Sequence, residues 1–213
     1  MSVMDQRTKR KLREVEARRA EILCAAERLF SKHGFFKTNM AEIANAAQFA
    51  MGTVYKIFES KEEIYISLME SKVEELMRLI HERIARAETT VEKIRGIIQV
   101  KLAFADCNRD FFRIYVSEWG GFEWTVKSAF GDRVWRCYLA QITLVADLVR
   151  EGIRKGEFQR VDPESASLAF HGMLNATIYV WILQVSPQES LASKGQLLGN
   201  LFLNGIENPV KET

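Results

Sequence analysis

Proline is scarce in this chain, three residues in 213, and glycine is held to twelve. So few helix breakers exclude a collagen-like or linker-dominated protein and leave room for long uninterrupted helices. Cysteine is nearly absent as well: Cys24, Cys107 and Cys137 form no C-x-x-C pair and have no metal-ligand spacing with the three histidines. An odd trio of isolated thiols excludes a disulfide scaffold and fits a reducing, cytoplasmic setting. The longest largely apolar run, Ala176 to Leu183, falls well short of the roughly 20 residues a membrane helix needs. The first twenty residues are too charged for a secretory signal, so no membrane partner is expected. No glycine-rich phosphate loop, strand-to-helix serine elbow or catalytically placed carboxylate pair is visible. We therefore expect no enzyme, no cofactor and no metal.

What is present is a composition of 47% hydrophobic and 27% charged residues, enough apolar surface to bury a sizeable core. The formal net charge of +2 hides an asymmetry. Residues 1–61 hold 12 Lys/Arg against 7 Asp/Glu, whereas the remainder holds 18 against 21. The positive surplus sits in the first quarter, as attraction to nucleic acid requires. Arg7, Lys9, Arg10, Lys11 and Arg13 read either as a basic arm along a DNA backbone or as a solvated terminus; we take residues 1–13 as flexible.

Apolar positions recur at helical spacing along most of the chain. Ile22, Leu23, Ala26, Leu29 and Phe30 predict a helix over 14–32, with Gly34 as its stop. Asn39 and Glu42 have the spacing of a capping box that starts a second helix, and Gln48-Phe49-Ala50 reads as a tight turn into a third over 51–58. There Val54, Ile57 and Phe58 form the packing side, while Thr53, Tyr55 and Lys56 face outward. Ser60 with Glu63 starts a long helix to about residue 87. Further helices are predicted over 90–107, 110–119, 132–155, 163–185 and 187–206, with Trp124 to Phe130 a short helix or turn. The fold class is all-α, about nine helices: an N-terminal helix-turn-helix over 14–61 and a helical ligand-binding and dimerisation domain over 62–207, with 208–213 a tail.

The in-register set Ile22, Ala26, Phe30, Gly34, Thr38, Ile43-Ala44, Gly52-Thr53-Val54-Tyr55, Phe58 and Ser60-Lys61 resembles the TetR family of transcriptional regulators. The likeness at motif level covers about residues 18–66. It implies a homodimer whose third helix enters the major groove of a palindromic operator, and whose C-terminal domain binds a small-molecule effector. By position, Tyr55 resembles the family's phosphate-contacting tyrosine and Lys61 the lysine on the opposite flank of the groove. Thr53 resembles a family residue near base edges or backbone, and Met51 and Lys56 occupy positions that vary in the family and commonly set sequence preference. Thr38, Asn39, Ala50 and Gly52 complete the expected DNA-facing set. The turn departs from the family pattern: Gln48 stands where glycine is usual, Phe49 where a smaller aliphatic is, and Ala50 where serine is.

In the C-terminal domain, Phe104, Tyr115, Trp119 and Tyr138 are candidate cavity-lining aromatics, although aromatics at helical spacing more often fill cores. His171, Asn175 and Tyr179, four residues apart, place polar groups along one helix. They face either a ligand or a dimer partner. The resemblance points to the last two helices for the dimer interface, around Phe170, Met173, Leu174, Leu197, Leu198, Leu201 and Phe202. The expected function is a ligand-responsive DNA-binding regulator, commonly a repressor in this family, released by a hydrophobic or amphipathic effector. The alternative is a non-catalytic helical dimer that coats DNA or binds other proteins.

Overall fold

The computed structural model describes residues 6–120, 124–184 and 189–206, with side chains throughout except at 115–120, 124–135 and 137. It is all-α. The elements run α1 (Gln6–His33), α2 (Met40–Ala46), α3 (Met51–Tyr55), α4 (Lys61–Ile84), α5 (Thr90–Cys107), α6 (Arg109–Gly120), α7 (Trp124–Lys155), α8 (Pro163–Leu183), a 3-10 turn over Leu191–Lys194, and α9 (Gly195–Ile206). Among the described residues there is no strand.

Local sequence accounts for most helix ends. Asn39 Oδ1 accepts from the Glu42 amide at 2.9 Å while Glu42 accepts from the Asn39 amide at 2.9 Å, the reciprocal box expected of that spacing. Thr89 and Glu92 repeat it at the start of α5. Asp162 caps α8 ahead of Pro163, whose missing amide costs nothing at that position. Gly34 (φ 82°) and Gly156 (φ 76°) take the left-handed conformation that stops α1 and follows α7. At Gly152 the requirement is close approach: a Cβ there would lie 2.1 Å from the Phe158 ring.

Three expectations are corrected. The first helix, expected to begin at 14, begins at Gln6, so residues 6–13 form its first turns; the segment lacks glycine and proline and carries an Arg10–Glu14 pair at 2.9 Å, one turn apart. The helix over 124–155 is continuous through Gly131. The last segment is a 3-10 turn followed by α9, held where Asp106 accepts from the Ser190 hydroxyl and from the Leu191 and Ala192 amides.

By contacts the chain divides into two compact units, the first comprising residues up to Ser71 with Arg113–Phe130, the second Lys72–Phe112 with Gly131 onward. The first is built on Ile22, Ala26 and Phe30 of α1, Ile43 of α2, Val54, Phe58, and Ile64 and Leu68 of α4, all buried. Phe30, Phe35 and Tyr65 form a triangle of tilted and edge-on rings 5.3–6.1 Å apart. In the second unit α5 is central, packing on α8, α9 and the 3-10 turn through Ile94, Ile98 and Leu102. Lys93 of α5 also pairs with Glu151 of α7 at 3.0 Å. α8 is long and apolar enough, by length and composition alone, to cross a membrane. Its apolarity has a nearer cause, since Phe170, Leu174 and Ile178 are core residues.

Candidate nucleic-acid interface and buried polar cluster

In the first unit, α2, the turn after it and α3 pack as a helix-turn-helix. Val54 and Phe58 are fully buried, which at about 1.5–3 kcal/mol for a large apolar side chain anchors α3 from beneath. The opposite side is left outward. Ala50, Met51, Gly52, Tyr55 and Lys56 are exposed and Thr53 is half-buried, so six expected DNA-facing residues share one short surface. Phe58 is covered in turn by Arg19, whose guanidinium carbon lies 4.3 Å from the ring centroid while Nη2 donates to Ser67 Oγ at 2.6 Å. Sequence reading passed over Arg19 because one arginine among many basic residues carries no positional signal.

The turn has the predicted chemistry. Gln48 takes φ 58°, the one non-glycine residue in the left-handed region among those described, at a cost of roughly 1–2 kcal/mol. Ala50 has extended N-cap geometry but no side-chain hydrogen bond, so an orphan amide of α3 lacks the partner serine would supply.

Three of the expected DNA-facing residues have structural duties. Thr38 is a correction: it is 2% exposed and its hydroxyl donates inward to the Gly34 carbonyl at 2.9 Å, closing the turn between α1 and α2. Asn39 is exposed, but its side-chain oxygen is committed to the cap of α2. Lys61 is half-buried, and its Nζ donates to the carbonyls of Phe35 (2.7 Å) and Thr38 (2.8 Å). Two of its three N–H groups are thereby used.

In the second unit, the stripe His171, Asn175, Tyr179 does not share one environment. Residues four apart drift by about 40° per step around a helix, and here the drift carries them from core to solvent. His171 is 1% exposed, Asn175 half-buried, and Tyr179 exposed. His171 Nδ1 lies 2.9 Å from the Ser167 carbonyl, so that nitrogen carries the proton and Nε2 is left as an acceptor. Its ring meets Phe170 and Tyr138 edge-on. Burial, and then the charge of Lys101, push the imidazole down to about 3, so it is neutral near pH 7. Tyr138 is half-buried and shifted upward by burial. Phe104 is 5% exposed and packs edge-on against Phe112, a core role. The side chains of Tyr115 and Trp119 lie outside the described residues.

Lys101 was not anticipated. It lies on α5, 5% exposed, with Nζ donating to Gln141 Oε1 of α7 at 3.1 Å. Burial pushes its ammonium down to about 8. The signal was present in the sequence: Ile97, Ile98, Phe104 and Ala105, three and four residues away, are apolar and set Lys101 on the inward face of its helix.

The expected interface residues divide sharply. Phe170 and Leu174 are 0% exposed, and Leu198 and Phe202 nearly as buried; they are core within the single chain, with the Phe170 and Phe202 rings 5.1 Å apart. Met173 is half-buried, whereas Leu197 and Leu201 stand exposed at 58% and 62%. One step around α9 separates the inward pair from the outward pair. On α8 the exposed residues beyond Glu164 and Ser165 of its first turn are Leu168, Ala169, Gly172, Ala176, Tyr179, Val180 and Leu183, none of them charged, and sequence periodicity could not separate them from the core side.

Against known proteins, the family model for bacterial regulatory proteins of the tetR family matches residues 22–68, and a tetracyclin repressor-like C-terminal domain matches residues 87–182. The chain is 23% identical over 189 residues to the fatty acid metabolism regulator protein of Bacillus subtilis (strain 168), covering 88% of this chain and 95% of that one. Its fold is similar to that of the fatty acid degradation regulator FadR from Bacillus halodurans, with a TM-score of 0.81 at 22% identity over 88% of this chain and 95% of that one. It is likewise similar to a transcriptional regulator FadR from Bacillus subtilis solved in complex with stearoyl-CoA, with a TM-score of 0.78 at 22% identity over 88% of this chain and 99% of that one.

Proposed function

The chain belongs to the TetR family of transcriptional regulators, and we propose that it is a cytoplasmic dimeric repressor released from a palindromic operator by a fatty-acyl effector. Its coarse activity is that of a ligand-responsive, DNA-binding regulator, and it is not an enzyme. The observation that carries the reading is the outward surface of α3, where Met51, Gly52, Tyr55 and Lys56 stand exposed above the buried Val54 and Phe58. In this reading Tyr55 donates to a phosphate, Lys56 reaches guanine or phosphate, and Met51 offers apolar contact to a thymine methyl. Ala50, Gly52 and Thr53 let the backbone approach the groove. Lys61 offers phosphate its one uncommitted N–H.

Two such surfaces meet successive major grooves about 34 Å apart only if two chains associate. The exposed Leu168, Val180 and Leu183 of α8 with Leu197 and Leu201 of α9 suit that association. α4 belongs to both units, Lys61–Ser71 to the first and Lys72–Ile84 to the second. An effector that prefers one conformation of the second unit thereby gains a covalent lever on the first, and weakens DNA binding only by as much as that preference. The acyl class rests on the relatives' names and on the stearoyl-CoA in the similar structure.

The test is a gel shift of the DNA flanking the protein's own gene against random DNA, with and without a long-chain acyl compound. We expect specificity of roughly a thousandfold or more and release on adding the acyl compound. Equal binding to both DNAs would favour a coating protein instead.

A further inference from the structure

The second unit buries a positive charge that no described residue neutralises. Lys101 is 5% exposed, and its hydrogen bond to Gln141 is with a neutral amide. Among the described residues no carboxylate pairs with it. The four residues three and four positions away on α5 are buried and apolar: Ile97, Ile98, Phe104 and Ala105. His171 of α8 supplies no negative charge and feels Lys101 as a repulsion. An ammonium taken out of water without a counter-charge is costly, and proteins retain such a group where a partner arrives from outside. An amide oxygen satisfies one of its three donors.

From this arrangement we propose that Lys101 is a ligand-binding residue that receives the carboxylate of an apolar acid entering the second unit, with Gln141 holding the ammonium in position. The inference rests on the effector reading above and narrows it, because a free acid carries the charge that matches Lys101, whereas an ester or thioester brings only a neutral carbonyl. A carboxylate supplies the two things the site lacks, a full negative charge and acceptors for the remaining N–H groups, through charge-assisted hydrogen bonds of the stronger kind. The buried apolar residues beside Lys101 on α5, Ile98 and Phe104 among them, are of the kind that would receive the acid's apolar remainder.

The experiment is calorimetric titration of the full-length protein with dodecanoate, methyl dodecanoate and dodecanoyl-CoA at pH 7, for the native chain and for Lys101→Met and Lys101→Gln. The native protein is expected to bind dodecanoate roughly tenfold or more tighter than its methyl ester. Both variants should bind the two alike, with ester affinity within about threefold of native. Circular dichroism melting shows that each variant is folded, and either one alone suffices for the comparison. Native protein that binds acid and ester equally, or fails to bind the acid at all, overturns the proposal, as does a folded variant that keeps the preference for acid. Gel shifts run alongside separate this from the broader reading. Release of DNA by dodecanoyl-CoA without dodecanoate binding sinks the carboxylate assignment and leaves the acyl-responsive regulator standing. Acid binding through Lys101 with no effect on DNA does the reverse.

Discussion

Lys61 holds Phe35 at two points: its Nζ donates to the Phe35 carbonyl oxygen at 2.7 Å, and the same nitrogen lies 4.2 Å from the centroid of the Phe35 ring. With the further bond to Thr38, the first residue of α4 becomes a clip on the segment joining α1 to α2, the segment that sets the position of the helix-turn-helix.

Removal of that ammonium should be felt in two separate measurements. Lys61→Met leaves two carbonyls to find other partners, and we expect urea unfolding to report a loss of about 1–2 kcal/mol. If the third N–H also meets a phosphate, the salt dependence of operator binding should flatten by about one unit of slope, equally for all sequences. A variant that loses stability with an unchanged slope would confine Lys61 to the clip.

The turn before α3 offers gains. Gln48 sits at φ 58°, and Gln48→Asn, which tolerates that region better, should stabilise by about 0.5–1 kcal/mol. Ala50→Ser places an oxygen where the extended N-cap backbone already suits it, for a further ~1 kcal/mol. Thermal unfolding of each variant measures both effects; a lower melting temperature for Ala50→Ser would mean that the hydroxyl cannot reach the amides of α3.

Much of the first unit was legible because its signals are local. Asn39 and Glu42, three residues apart, specify their own capping geometry, and Gly34 can stop α1 without reference to anything distant. Gln48 could be recognised as strained since the family pattern puts glycine there. The roles of Thr38 and Lys61 were not legible as structure, because the carbonyls they bond lie on a loop whose path only the fold decides. In the second unit, Phe170, Leu174, Leu198 and Phe202 repeat with the same period as Leu168, Gly172, Leu197 and Leu201. Periodicity finds a helix face without saying whether the chain itself or another molecule covers it. Lys101 was missed for a different reason: lysine is so seldom fully buried that its position on an apolar face was outweighed by its type.

The division of α9 into two faces predicts opposite outcomes for neighbouring substitutions. Leu201→Glu, at a residue 62% exposed, should leave the melting temperature of the single chain nearly unchanged while light scattering reports monomers and operator affinity collapses. Phe202→Glu, at a residue packed on Phe170, should instead prevent stable folding. A Leu201→Glu protein that remains dimeric would remove the outward face of α8 and α9 from the interface.

The buried pair His171 and Lys101 makes a pH-dependent contribution whose sign can be stated. His171 falls to about 3 in the folded chain from the ordinary 6.5, because burial and then Lys101 disfavour its charged form. The unfolded chain therefore binds the extra proton first as pH drops. Stability associated with His171 is complete above pH 6.5 and is lost as pH falls toward 3, with a slope of at most about 1.4 kcal/mol per pH unit. Lys101 falls to about 8 from 10.5 through burial alone, so its stability term rises between pH 8 and 10.5 and lies fully on the unfavourable side at pH 7. Tyr138 is raised by burial. Glu151, held low by Lys155 and then by Lys93, adds its own acid-sensitive term, which is why the informative quantity is the difference between native and variant. Urea unfolding of His171→Phe across pH 3–7 should give a flatter acid limb than the native chain. Lys101→Met at pH 7 should be more stable than native by up to about 3 kcal/mol, the opposite of what loss of an ordinary core contact produces. A destabilised Lys101→Met protein would mean that the ammonium already has a charged partner in the folded chain.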